Sequence, residues 1–93
     1  MEKIQDLKWA LAKVVRNARL ERGQTQSQLA GLAGLAEMHL SQLERGVRGD
    51  SLNAFLLLAR ALEMRGSDLL RLVEEELERG VEVPEPKLGR PPK

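Results

Sequence analysis

TQSQLAGLAGLAEMHLSQLERG, residues 25–46, reads as two short helices joined by a tight turn. The first covers Gln26–Ala33 and the second residues 36–45, with Gly34 between them. Leu29, Leu32 and Ala33 recur at helical spacing in the first, and Leu40 and Leu43 in the second. Thr25 and Gln28 stand three apart, as a capping box requires, so each side chain can satisfy a free N–H at the helix start. Gly34 can adopt the positive φ that a sharp helix–helix turn needs. Leu40 and Leu43 must face a core. Ala36, Glu37, Met38, Ser41 and Gln42 then share the outward face, because residues i, i+3 and i+4 lie together on a helix.

Before this stretch, residues 2–22 carry Ile4, Leu7, Leu11, Val14, Val15 and Ala18 on one stripe and are expected to form a first helix, ended by Gly23. Ser51 can cap a fourth helix bearing Leu52, Phe55, Leu56, Leu58, Ala59 and Leu62. Gly66 and Ser67 restart the chain into a fifth, residues 68–79, with Leu69, Leu70, Leu72, Val73 and Leu77. Leu29, Leu40, Leu43, Phe55, Leu58 and Leu62 are expected in one core. Pro84, Pro86, Pro91 and Pro92 exclude regular structure from residues 80–93, which read as a flexible tail.

The register of these residues resembles the phage repressor and Cro family, the Xre-like helix-turn-helix proteins. Thr25–Gln26, Leu29–Ala30, Gly34, Leu40–Ser41 and Leu43–Glu44–Arg45–Gly46 match its signature. Arg19–Leu20–Glu21–Arg22–Gly23 resembles the end of its first helix, Ser51–Leu52 and residues 58–62 its fourth, and residues 67–70 its fifth. The likeness spans residues 11–70, so the turns before Leu11 read as an extension of the first helix. It implies an all-α, five-helix, lambda-repressor-like domain over residues 1–79 that places its third helix in a DNA major groove.

By that resemblance the base-reading positions fall on Ala36, Glu37, Met38, Ser41 and Gln42. Their chemistry suits base edges. Gln42 can both donate to and accept from adenine, Glu37 can accept from a cytosine amino group, and Ala36 and Met38 can meet thymine methyls. Gln26, at a helix start, is the family's phosphate contact, and Arg45 and Arg48 are cationic candidates. His39, the single histidine, is a surface residue that can reach a phosphate. The family also pairs an Arg of its first helix with a Glu at the end of its third, here Arg19 and Glu44, a structural bond and not a DNA contact. Ala36 departs from the usual Ser or Thr cap and forfeits roughly 1 kcal/mol. Residues 48–50, Arg-Gly-Asp, depart from the usual Pro. In the tail, Gly89-Arg90-Pro91 resembles the core of a minor-groove hook, with Leu88 where an Arg is usual.

Composition narrows the classes. One Phe, one Trp and no Tyr leave a core of Leu, Ala and Val, which suits short helices and not a sheet. Without cysteine there is no disulfide framework and no thiolate metal site. One histidine builds neither a metal site nor a Ser/His/Asp set, so neither an enzyme nor a cofactor is indicated. The run Glu74–Glu75–Glu76 reads as a solvated helix face. No apolar run reaches the roughly 18 residues of a membrane span, and no signal peptide is visible, so a cytoplasmic protein is expected. Net charge is +1, divided between a mildly basic body and an acidic last helix, which fits modest phosphate affinity on one face.

Together these features point to a sequence-specific regulator of transcription, a repressor bound as a homodimer to a palindromic operator, since one recognition helix reads only a few base pairs. Two other readings stay open: an autoregulating antitoxin or restriction controller, and a protein-interaction module that keeps the fold. The last helix carries more apolar residues than closure of so small a domain needs. It is the expected dimer contact, with Trp9 and the start of the first helix packing across or beside it.

Overall fold

The computed structural model describes Ile4, residues 6–47 and residues 49–81. Among them five helices follow one another: α1 (Leu7–Glu21), α2 (Gln26–Ala33), α3 (Glu37–Glu44), α4 (Leu52–Ala61) and α5 (Gly66–Arg79). α1 packs against α5 on one side and α3 on the other; α2 packs against α4 and α3, and α4 against α5. Among the described residues no helix is long and apolar enough to cross a membrane. Residues 82–93, where the tail and its Gly-Arg-Pro motif fall, lie outside the described residues, as does Arg48.

The helix ends follow their local chemistry. Thr25 accepts the Gln28 N–H at 3.0 Å, and the Gln28 side chain accepts the Thr25 N–H at 2.9 Å, a complete capping box. Gly34 takes φ 74° and turns the chain into α3. Ser51 accepts the Ala54 N–H at 3.1 Å and caps α4. α5 starts at Gly66, two residues before the position the sequence suggests. α1 corrects the sequence reading more. It starts at Leu7 and not at Glu2, because Asp6 sits in the left-handed region at φ 66°, which a right-handed helix cannot continue through. Its extension beyond the family match is thus one turn, and Ile4 and Leu7 are exposed.

The core joins Ala10, Val14 and Val15 of α1, Leu29, Ala30 and Ala33 of α2, Leu40 and Leu43 of α3, Leu58, Ala59 and Leu62 of the α4 segment, and Leu69 and Val73 of α5. Phe55 is half-buried against it. Leu32 departs from the spacing read for α2: it is 65% exposed, because that helix buries only the stripe of Leu29, Ala30 and Ala33. Each fully buried leucine contributes about 1.5–3 kcal/mol of transfer free energy.

Glu76 is not part of a solvated face. It is 4% exposed, with Arg79 Nη2 at 2.7 Å from Oε1 and Lys13 Nζ at 2.8 Å from Oε2, a tie between α5 and α1. The hydrogen bonds from Arg79 and then Lys13 hold its carboxyl below the ordinary carboxylate range. A lowered acid pKa adds stability that is complete above the unfolded value and is lost as pH falls through the folded one. Melting temperature is therefore expected to fall on acidification below about pH 4. The Glu76→Gln protein is expected to melt lower at neutral pH and to show a flatter acid limb. Parallel acid limbs for the two proteins would count against this.

Candidate nucleic-acid interface

α3 is held by its inward side. Leu40 and Leu43 are fully buried between α1 and α2. The next residue, Glu44, is 5% exposed and meets Arg19 of α1, itself 8% exposed. Arg19 Nε donates to Glu44 Oε2 at 2.8 Å and Nη2 to Oε1 at 2.9 Å, a fork-to-fork bond. Arg19 Nη1 donates to the Gln24 carbonyl at 2.8 Å, and Gln26 Nε2 donates to Glu44 Oε1 at 3.0 Å. One carboxylate thus fixes three things at once: the end of α3, the last turn of α1 and the start of α2. The Glu44 hydrogen bond raises the Arg19 pKa above its ordinary value, so the guanidinium stays charged.

This anchoring turns the other side of α3 outward. Ala36, Glu37 and Met38 are exposed, and Ser41 and Gln42 are half-buried. Ala36 is the N-cap of α3 and supplies no side-chain bond, so the first turn ends in uncapped N–H groups. Arg45 is exposed just past the helix, its Nε donating to the Ser41 carbonyl at 3.3 Å.

Two residues expected at phosphate have partners inside the protein. Gln26 spends one amide hydrogen on Glu44, which leaves a second on the same nitrogen for another acceptor. His39 turns sideways, not outward: its Nε2 lies 3.1 Å from Asp50 Oδ1, in the segment leading to α4. Asp50 did not stand out in the sequence as a site residue. Its only signal was that it follows Arg-Gly where the family usually has Pro.

Trp9 is also placed differently from the sequence expectation. Its ring lies against Gly46, where a Cβ would overlap it, so Trp9 belongs to the seam between α1 and the exit of α3. Gly46 has φ 72°, the left-handed value that lets the chain leave α3 beneath the ring.

Two helices with a glycine turn, the second pinned on one face and polar on the other, define the helix-turn-helix class. The comparisons agree. The model of the helix-turn-helix domain family matches residues 10–72, and the chain belongs to that family, in its Xre-like branch. No curated protein matches the sequence. Among solved structures, the restriction-modification controller protein C.AhdI from Aeromonas hydrophila is similar, with 34% identity over 67% of this chain and 94% of that one, at a TM-score of 0.65. The wild-type controller protein C.Esp1396I shares 26% identity over 78% of this chain and 95% of that one, at a TM-score of 0.73. The C.Esp1396I tetramer in complex with its natural 35 base-pair operator matches at a TM-score of 0.72, with 26% identity over 77% of this chain and 95% of that one.

Proposed function

We propose that this protein is a sequence-specific duplex-DNA-binding regulator of transcription, a repressor of restriction-controller type, bound as a homodimer to a two-fold operator. The observation that carries this reading is α3. Its inner face is locked by Leu40, Leu43 and the Arg19–Glu44 bond, and its outer face offers Glu37, Met38, Ser41 and Gln42 together. Such a rigid, polar-faced helix suits base edges in a major groove. The likeness to C.Esp1396I, solved as a tetramer on its operator, favours the controller reading over that of an antitoxin. The mechanism is binding and occlusion and needs no catalysis. Arg45 and Gln26 meet phosphates and set the register, while Glu37 and Gln42 read bases.

Selection of bound duplexes from a random pool tests this: a recovered palindrome supports the reading, and recovery of no preferred sequence defeats it. On the selected duplex, Gln42→Ala is expected to lose about 1–3 kcal/mol of discrimination at one base pair per half-site, with little change in non-specific affinity. Glu37→Gln is expected to raise non-specific affinity, since a carboxylate beside phosphate is removed. Binding constants that do not vary with salt would instead favour the protein-interaction module.

The dimer contact is read from exposed leucines. Leu52 and Leu56 stand four apart on α4, and Leu56 packs over Gly66, which lies four before Leu70 on α5. These residues form one apolar stripe across α4 and α5, with Leu52 74%, Leu56 46% and Leu70 49% exposed. A two-fold site calls for an isologous contact, and this stripe supplies it. Sedimentation at about tens of micromolar is expected to show a dimer that Leu70→Glu dissociates. A monomeric wild-type chain would sink the preformed dimer.

A further inference from the structure

The segment between α3 and α4 leaves α3 through backbone bonds from Gly46 and Val47 and beneath the Trp9 ring, and beyond that it has few side-chain anchors. Among its described residues, Arg45, Val47 and Gly49 are exposed, and Gly46 has no side chain. α3 and α4 do not pack broadly on one another, since α3 rests on α1 and α2. One side chain of this segment is buried, and it is a carboxylate: that of Asp50 is only 2% exposed. Burying an acid is unfavourable unless its oxygens are satisfied. Oδ1 accepts the Ser51 N–H at 3.1 Å and faces His39 Nε2, also at 3.1 Å. Because a carboxylate only accepts, the imidazole N–H is the donor. Oδ2 has no hydrogen-bond partner among the described residues. His39 is therefore the one side chain, among those described, that compensates the buried acid.

The bond also joins two elements. His39 lies in the first half of α3, next to buried Leu40, while Asp50 precedes Ser51, the N-cap of α4. A continuous path runs from His39 through Asp50 and Ser51 to the Ala54 N–H in the first turn of α4.

We propose that His39 and Asp50 form a latch that fixes the α3–α4 segment against the side of the recognition helix, and that both are positioning residues for DNA affinity. The inference rests on the DNA-binding reading above and reassigns His39 from phosphate contact to support. The segment leaves α3 at Arg45, the cation assigned to phosphate. Holding it still sets where that charge meets the backbone of the duplex. Phosphate contacts fix register and carry no sequence information. Loss of the latch must therefore weaken all duplexes alike and leave base preference intact.

The test measures duplex affinity for the full chain and for His39→Ala, Asp50→Ala, the double variant and His39→Gln. Each single Ala variant is expected to bind the selected duplex about tenfold more weakly, with its preferred sequence unchanged. The double variant is expected to be no weaker than either single one, because the two residues act through one bond. His39→Gln, which still carries an N–H donor, is expected to recover most of the affinity. A loss in His39→Ala without one in Asp50→Ala would show that His39 meets phosphate itself, and would overturn the latch. Additive losses would do the same. Amide exchange of the free protein is read in parallel: Val47, Gly49 and Ser51 are expected to exchange about tenfold faster in both Ala variants. Unchanged exchange would overturn the latch even if the wild-type chain bound no duplex, and that last result would itself overturn only the DNA-binding reading.

Discussion

Arg19→Ala is expected to cost about 3–5 kcal/mol of folding stability and to impair DNA binding as well, although Arg19 faces inward. The reason lies in what remains. Glu44, 5% exposed, would keep one bond, from Gln26, and its charge would stay buried without a counter-ion. The Gln24 carbonyl would also lose its donor. Arg19→Lys is expected to recover only part of the loss, since an ammonium cannot present the two parallel N–H groups that Glu44 accepts. A paired replacement, Arg19→Met with Glu44→Leu, separates the roles. It removes both charges, so stability is expected to return toward the wild-type value. DNA affinity is expected to stay low, because α2 would lose the Gln26 bond that aligns it with α3. Thermal denaturation and duplex titration of these variants check the argument. An Arg19→Ala protein with the wild-type melting temperature would show that the bond contributes nothing.

Gly46→Ala is the second large effect, expected at about 2–4 kcal/mol. Roughly 1–2 kcal/mol of it comes from holding an L-residue at φ 72°, and the rest from forcing the Trp9 ring aside. The two contributions separate experimentally. Trp9→Ala opens the space, so Gly46→Ala in that background is expected to cost only the backbone part. If the cost is the same in both backgrounds, the ring does not constrain Gly46. A larger side chain than Ala is expected to leave the seam between α1 and α3 open.

What the sequence made legible, and what it hid, divides along the range of the interactions. The capping box at Thr25 and Gln28, the turn at Gly34 and the cap at Ser51 are local, set by residues three or four apart. Leu40 and Leu43 were legible because a short helix has one face that can be buried. Leu32 obeyed the same periodicity yet lies exposed, because nothing in the spacing shows where the packing surface of α2 stops. Asp6 ended α1 through a backbone conformation that leaves no mark in an apolar pattern.

The site divides the same way. Glu37, Met38, Ser41 and Gln42 follow from helical geometry alone once Leu40 and Leu43 are placed. The tie between Arg19 and Glu44 spans 25 positions and was readable only through the family resemblance. Gln26, His39 and Asp50 needed the tertiary structure, since their partners lie 18 and 11 positions away. Glu76 read as solvated for a similar reason: its run of acids hides that one of the three turns toward Lys13 of α1.

The packing of Trp9 on Gly46 has an optical consequence. The chain has one tryptophan and no tyrosine, so essentially all of its near-ultraviolet emission arises from a single ring. That ring lies against Gly46, just past the end of α3. Its colour and quenching follow the hydration of this one seam, while circular dichroism at shorter wavelengths follows the helices as a whole. The protein thus carries its own dye at the edge of the proposed binding face, and no label is needed to watch that edge.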